Sequence, residues 1–161
     1  MTELHLLRHA HAGDPQGWNG PDDLRPLSEK GEKQADRLGR FLASVGFEPD
    51  AIVSSPKVRA ARTAAIVAGH LGAKVALDPR LAGGLDLEAV EGILADAGDP
   101  RRPVLVGHDP DLTDLVDFIV GPCGLTMKKG AFIRIDTGRP LKPGGGTLRW
   151  FVPPDLLKPE R

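Results

Sequence analysis

Residues 5–13 read HLLRHAHAG, from His5 to Gly13. A short apolar run passes straight into an arginine, two histidines and a glycine. A strand that buries Leu6 and Leu7 and then releases Arg8 and His9 at its tip holds polar groups on a rigid base. Beyond that tip, AHAGDPQGWNGPDDLRPL carries Gly and Pro at close spacing and reads as a long loop. Ser28 is placed to cap the next segment, SEKGEKQADRLGRFLASVG. There Ala35, Leu38, Leu42 and Val45 recur at helical spacing and Gly46 offers a stop. The basic side chains on the other face of that helix are most simply solvated.

The same strand-then-helix unit recurs along the chain. DAIVSS (50–55) is a short apolar run consistent with a central strand, and PKVRAARTAAIVAGHLG (56–72) is an alanine-rich helix opened near Pro56 and stopped at Gly72. KVALDP predicts a third strand, DLEAVEGILADAG a helix, RPVLVGH another strand with a charged tip, and PDLTDLVDFIVG a fourth helix. AFIRID and TLRWFVP read as two further strands joined by the loop TGRPLKPGGG. This alternation predicts an α/β fold with a largely parallel central sheet covered on both faces. The last two strands have no intervening helix and are expected as antiparallel additions. We expect one domain over residues 1–161, with 154–161 a partly ordered tail.

In such sheets ligands sit outside the carboxyl ends of the strands. Arg8 and His9, Ser54 and Ser55, and His108 with Asp109 all follow strands, so the fold offers them one address. Arg59, one turn into the helix after Ser55, lies where free N–H groups and the helix dipole already favour an anion. With Arg8 it would clamp a tetrahedral oxyanion. Ser55 and Thr63 each have two readings, a hydroxyl donor to that anion or an ordinary cap or intrahelical bond. A histidine beside two arginines has its cationic form disfavoured, and a neutral ring nitrogen is a nucleophile for phosphorus. His108 suits a donor to the equatorial oxygens.

Composition narrows the alternatives. The chain has 161 residues, 21 basic and 22 acidic side chains and a formal net charge of -1. That balance gives no global attraction for nucleic acid or an anionic membrane, while leaving room for a local basic pocket. No window approaches 18 consecutive apolar residues, and MTELHLL lacks the basic flank and cleavage site of a secretory signal. A cytoplasmic protein is expected. Cys123 is the sole cysteine, excluding an internal disulfide, and is expected to be structural. The five histidines form no H-E-x-x-H helix, so no metal is expected. The chain has neither a G-x-G-x-x-G after its first strand nor a P-loop, which leaves nucleotide binding without support.

The ordered blocks LLRHA, RPLSEKGEKQA, SSPKVRAARTA and VLVGHDPDL resemble the histidine phosphatase superfamily. Within it, the short length and the RHA form are most similar to the compact SixA-like phosphohistidine phosphatases. The resemblance implies a phosphoglycerate mutase-like three-layer α/β/α sandwich, with no cofactor. It also implies that His9 is the phosphorylated nucleophile and that Arg8, Arg59 and His108 complete the phosphate pocket.

The general acid stays open on these residues. Asp109 in GHDP matches the acid phosphatase pattern locally, but it is equally suited to cap the helix beginning near Pro110. Glu88 is a weaker candidate, since its helical spacing points to an exposed face. His11 is close enough to line the pocket or to decorate the loop. Trp18 and Leu24 offer an apolar docking edge, or simply anchor the loop. A phosphohistidine-bearing protein is the favoured substrate because imidazole, less basic than an alkoxide, demands less acid assistance. A small-molecule phosphomonoesterase and a non-catalytic phosphoprotein-binding module are the alternatives.

Overall fold

The computed structural model describes residues 1–159. A six-stranded sheet in the order β3-β2-β4-β1-β5-β6 is built from β1 (Thr2–Arg8), β2 (Ala51–Ser54), β3 (Val75–Leu77), β4 (Pro103–Gly107), β5 (Phe132–Thr137) and β6 (Gly146–Val152). β3, β2, β4 and β1 are mutually parallel, whereas β5 runs antiparallel to both β1 and β6. The helices are α1 (Glu29–Ser44), α2 (Val58–Leu71), α3 (Leu87–Asp96) and α4 (Asp111–Val120). The predicted elements are all present, and the parallel core with antiparallel additions is the one the sequence reading expects.

Alternation along the central strands explains why they read as continuous apolar runs. Leu4, Leu6 and Leu105 pack with Val90, Ile93 and Leu94 of α3 and Leu112, Leu115 and Val116 of α4. Leu7, Val104 and Val106 pack with Leu38 and Leu42 of α1 and Ala60, Ala64 and Val67 of α2. Each strand thus supplies apolar side chains to both faces, and the result is three layers. At roughly 25 cal/mol per Å² of apolar surface removed from water, these two clusters are the main favourable term of folding.

His5 belongs to the second face. Its ring lies among Phe47, Phe132 and Trp150, at centroid separations of 4.7, 5.5 and 6.0 Å, and its Nδ1–H donates to Pro103 O at 3.0 Å. It is a strand side chain, as expected. His70, near the end of α2, pairs with Asp36 of α1 at 2.8 Å.

Local chemistry sets the helix ends. Ser28 caps α1 by accepting from Gly31 N at 3.1 Å. Gly46 and Gly72, at φ +72° and +63°, supply the left-handed turns that follow α1 and α2.

One expectation needs adjustment. Cys123 is exposed, in the segment between α4 and β5, rather than packed. The expected tail contains a 3-10 turn at Pro154–Leu157, and Leu157 packs against the second core cluster; residues 160–161 of that tail lie outside the described residues.

Candidate functional site

Strand register brings the charged exits level. Arg8 of β1 is opposite Gly107 of β4, and Ser54 of β2 is opposite Val106. His9 and His108 are therefore the first residues past two adjacent parallel strands, and their ring centroids lie 5.2 Å apart. The backbone fixes them: His9 N–H donates to Gly107 O at 3.0 Å, Arg8 N–H to Ala131 O at 3.1 Å, and Leu112 N–H to His108 O at 3.1 Å. Thr63 locks the next residue. Its hydroxyl donates to Arg59 O at 2.7 Å and accepts from Ala10 N at 3.0 Å, tying the exit of β1 to α2.

The His9 tautomer follows from one contact. Nδ1 lies 2.7 Å from the carbonyl oxygen of Ala10, which only accepts, so Nδ1 carries the proton and Nε2 holds a bare lone pair. Burial pushes the His9 pKa down to about 3; the Ala10 hydrogen bond opposes the shift, and His108, Arg59 and Arg8 add to it. Burial likewise takes His108 down to about 4, reinforced by Arg59, Lys57 and Arg8. Both rings are neutral near pH 7. His108 Nε2 is 2.8 Å from Ser55 Oγ, which also accepts from Lys57 N at 3.2 Å.

Both arginines are largely buried beside these rings. Arg8 Nη1 donates to Met127 O at 2.7 Å and lies 3.9 Å from Asp109 Oδ2. Arg59 donates through Nη1 to Asp22 O at 2.8 Å and through Nη2 to Asp22 Oδ2 at 3.0 Å. The Nε atoms of both guanidiniums are buried without a hydrogen-bond partner. Two guanidiniums, each with an unpaired buried Nε, and two neutral imidazoles beside the start of α2 suit a doubly charged tetrahedral oxyanion.

The fold thus gathers Arg8, His9, Arg59, His108 and Ser55. Ser55 touches His108, and Thr63 takes the intrahelical bond of its structural reading. His11 instead lies 2.6 Å (Nδ1) from Ser28 Oγ and lines a groove that shares Arg8 with this cluster. Asp109 acts as a cap: Oδ1 accepts from Thr113 N at 3.1 Å and Oδ2 from Thr113 Oγ1 at 2.7 Å. Glu88 is exposed in the first turn of α3. Trp18 donates to Pro21 O at 2.9 Å, which anchors the loop, while Leu24 stays exposed.

Sequence reading missed Asp22, the carboxylate seated on Arg59. The available signal was the acidic pair Asp22-Asp23 in a loop facing two arginines. Asp23 lies 3.7 Å from Lys57, and Arg25 holds Asp22 Oδ1 at 3.1 Å. The hydrogen bond from Arg25 and the charge of Arg59 keep the Asp22 carboxyl below its usual range. Among the described residues no group of three His, Cys, Asp or Glu side chains is arranged to hold a metal ion.

The family model described as histidine phosphatase superfamily (branch 1) matches residues 4–106. The chain belongs to this superfamily. It is an enzyme of the histidine-nucleophile phosphatase class.

Among its relatives, an uncharacterized protein of Picosynechococcus sp. is 33% identical over 144 residues, covering 84% of this chain and 86% of the relative. The probable phosphoglycerate mutase GpmB of Cronobacter sakazakii is 34% identical over 120 residues, which is 69% of this chain and 53% of that protein. The chain thus spans about half the length of the mutase relative. In structure it is similar to the protein histidine phosphatase SixA complexed with tungstate, with TM-score 0.83 and 22% identity over 98% of this chain and 100% of that one. It is also similar to a mycobacterial glucosyl-3-phosphoglycerate phosphatase, with TM-score 0.72 and 18% identity over 92% and 97%. At these identities the structural likeness speaks for the fold, which is the phosphoglycerate mutase-like α/β fold of this superfamily.

Proposed function

We propose that the chain removes the phosphoryl group from phosphohistidine carried on another protein. One observation carries this reading: among the described residues no carboxyl group at the pocket is disposed to protonate a leaving alkoxide. Both oxygens of Asp109 accept hydrogen bonds from Thr113, and Asp22 is held as a carboxylate by Arg25 and Arg59. A leaving alkoxide demands a general acid, whereas imidazole departs with far less assistance.

In the proposed cycle Arg8, Arg59 and His108 hold the phosphoryl oxygens, and the leaving nitrogen lies opposite His9. The bare Nε2 attacks phosphorus in line as the P–N bond breaks, and the departing imidazole takes a proton from water. A second water attacks phospho-His9, its proton passing to the hydroxide left by the first, and the step releases inorganic phosphate and restores the neutral ring. The two guanidiniums and the start of α2 supply the charge compensation.

Asp109 supports a second reading, hydrolysis of a small phosphomonoester, because its Oδ2 faces Arg8 at 3.9 Å. One comparison separates the two. Phosphate release is measured from a phosphohistidine carrier protein and from an alkyl phosphomonoester, for wild type, Asp109→Asn and the His9→Ala blank. We expect faster His9-dependent release from the carrier, with Asp109→Asn changing that rate by less than about threefold. A preference for the ester together with a fall of about a hundredfold in Asp109→Asn, the size of general acid catalysis, would give the ester reading the site.

A further inference from the structure

Beside the phosphoryl pocket, and sharing Arg8 with it, lies an open groove of about 840 Å³. Its walls are the exposed N-terminal face of α1 (Lys30, Lys33, Arg37), the segment before β5 (Lys128, Lys129) and Lys158 after the last 3-10 turn. With Arg8 these make seven basic side chains, against the carboxylates Glu29 and Asp155. Lys33 pairs with Glu29 at 3.3 Å. Among the described residues Lys30, Lys128 and Lys129 have no carboxylate within 4.0 Å, although elsewhere on the surface basic residues repeatedly pair, as Arg40 does with Asp36, Arg62 with Glu32 and Arg80 with Asp96. A chain with net charge -1 has therefore, among the described residues, concentrated an excess of cations next to its candidate site. Lys129 registers the crowding: burial and then the charges of Arg8, Arg25, Arg59 and Lys30 lower its pKa.

We propose that this groove docks an acidic protein surface surrounding the phosphohistidine, so that the enzyme selects its substrate by the charge of the carrier. The inference rests on the phosphohistidine reading above. Three features favour a protein face over a small polyanion. From Lys30 to Arg37 the cations follow α1 for roughly 10 Å at about 1.5 Å per residue, a spread that suits several separated carboxylates. They are mostly lysines, point charges on flexible stems, and not the paired planar forks that grip one phosphate. Arg8 stands at the junction, so a carrier lying along α1 brings its phosphorylated ring to His9. Such a surface acts chiefly through encounter rate and partner choice and is screened by salt.

The test uses two versions of one small carrier protein phosphorylated on histidine. In one, carboxylates flank the phosphohistidine; in the other, lysines occupy the same positions. Wild type is compared with the triple variant Lys30→Ala/Lys33→Ala/Arg37→Ala, and phosphoimidazole serves as the substrate without a surface. We expect kcat/KM for the acidic carrier to fall about tenfold or more in the variant, and in wild type with added salt. Phosphoimidazole turnover should remain unchanged, and the lysine-flanked carrier should be poor for both enzymes. Equal losses on the carrier and on phosphoimidazole, or no loss on either, would overturn the docking surface, as would equal rates on the two carriers.

A His9→Ala background separates this failure from failure of the phosphohistidine reading. Salt-sensitive binding of the acidic carrier, lost in the triple variant, keeps the surface even without P–N cleavage. Loss of affinity for a bisphosphorylated small ester alone would assign the groove to small polyanions instead.

Discussion

At His9, one hydrogen bond and one environment do separate jobs. The Ala10 carbonyl decides which nitrogen is bare, and burial keeps it bare at neutral pH. The RH pair pointed to His9 as the candidate nucleophile, but its tautomer was not legible, because it depends on where the next carbonyl points. Nor was the pair of hydrogen bonds that Asp109 accepts from Thr113, which the sequence offered only as one of two readings. The histidine shifts have a signed consequence. His9 and His108 have native pKa values of about 3 and about 4 against 6.5 for the free side chain, so both remain neutral well into acid. After correction for the substrate's own ionisation, kcat/KM should hold from pH 7 to about pH 5 and drop toward pH 4. An acid limb centred near 6.5 would instead mean that a histidine of ordinary pKa controls the reaction. Stability must be followed alongside. The unfolded chain takes up protons at His5, His9 and His108 below about 6.5 while the native state refuses them until about 4 or lower. Their contribution to stability is therefore present above 6.5 and is lost as pH falls through that window. Urea midpoints across the same range show where loss of rate is loss of fold.

Among the elements, the strands and helices were legible because each carries its own signal: period, cap or glycine stop. The long loop from Ala10 to Leu27 was legible only as a loop. Its organisation depends on contacts across the loop itself and to α1 and α2. Asp22 reaches Arg59, Arg25 donates to Ala12 O at 2.8 Å, and Gln34 of α1 accepts from His11 N at 2.9 Å. α1 meets this loop at Gly31, where a Cβ would overlap the carbonyl of His11. That carbonyl also accepts from Ser28 N at 3.0 Å, so retreat would break the start of the helix. Gly31→Ala should therefore destabilise the protein by about 1–3 kcal/mol, as overpacking does. It should also lower phosphatase activity by shifting the segment that carries Arg8 and His9. A thermal melt with steady-state kinetics checks both effects. An unchanged Tm with full activity would show that the loop yields freely, and that α1 does not position the exit of β1.

For the whole molecule, the strand order joins residues separated by about a hundred positions in the chain. β1 lies between β4 and β5, and β4 between β2 and β1, so Arg8, His9, Ser55, Arg59 and His108 converge at one carboxyl edge. The alternation of strands and helices implied that edge, while charge distribution over the surface was invisible until α1, the segment before β5 and the C-terminal turn were assembled. The same assembly leaves two guanidiniums at this edge, each with a buried Nε that has no hydrogen-bond partner, although Arg59 is also paired with Asp22 and Arg8 lies near Asp109. Inorganic phosphate should thus bind the native state and not the unfolded chain. At about a hundred times its Kd, linkage gives about 2.7 kcal/mol, a rise in Tm of about 5–10 °C for a domain of this size. Since guanidiniums and a helix start supply the charge, EDTA should leave both the Tm and its rise unchanged. Arg59→Ala removes one of the two guanidiniums without touching His9, and should abolish most of the phosphate-dependent shift, while His9→Ala should keep it. A shift retained in Arg59→Ala but lost in Lys128→Ala/Lys129→Ala would move phosphate binding out of the His9 pocket and into the neighbouring groove.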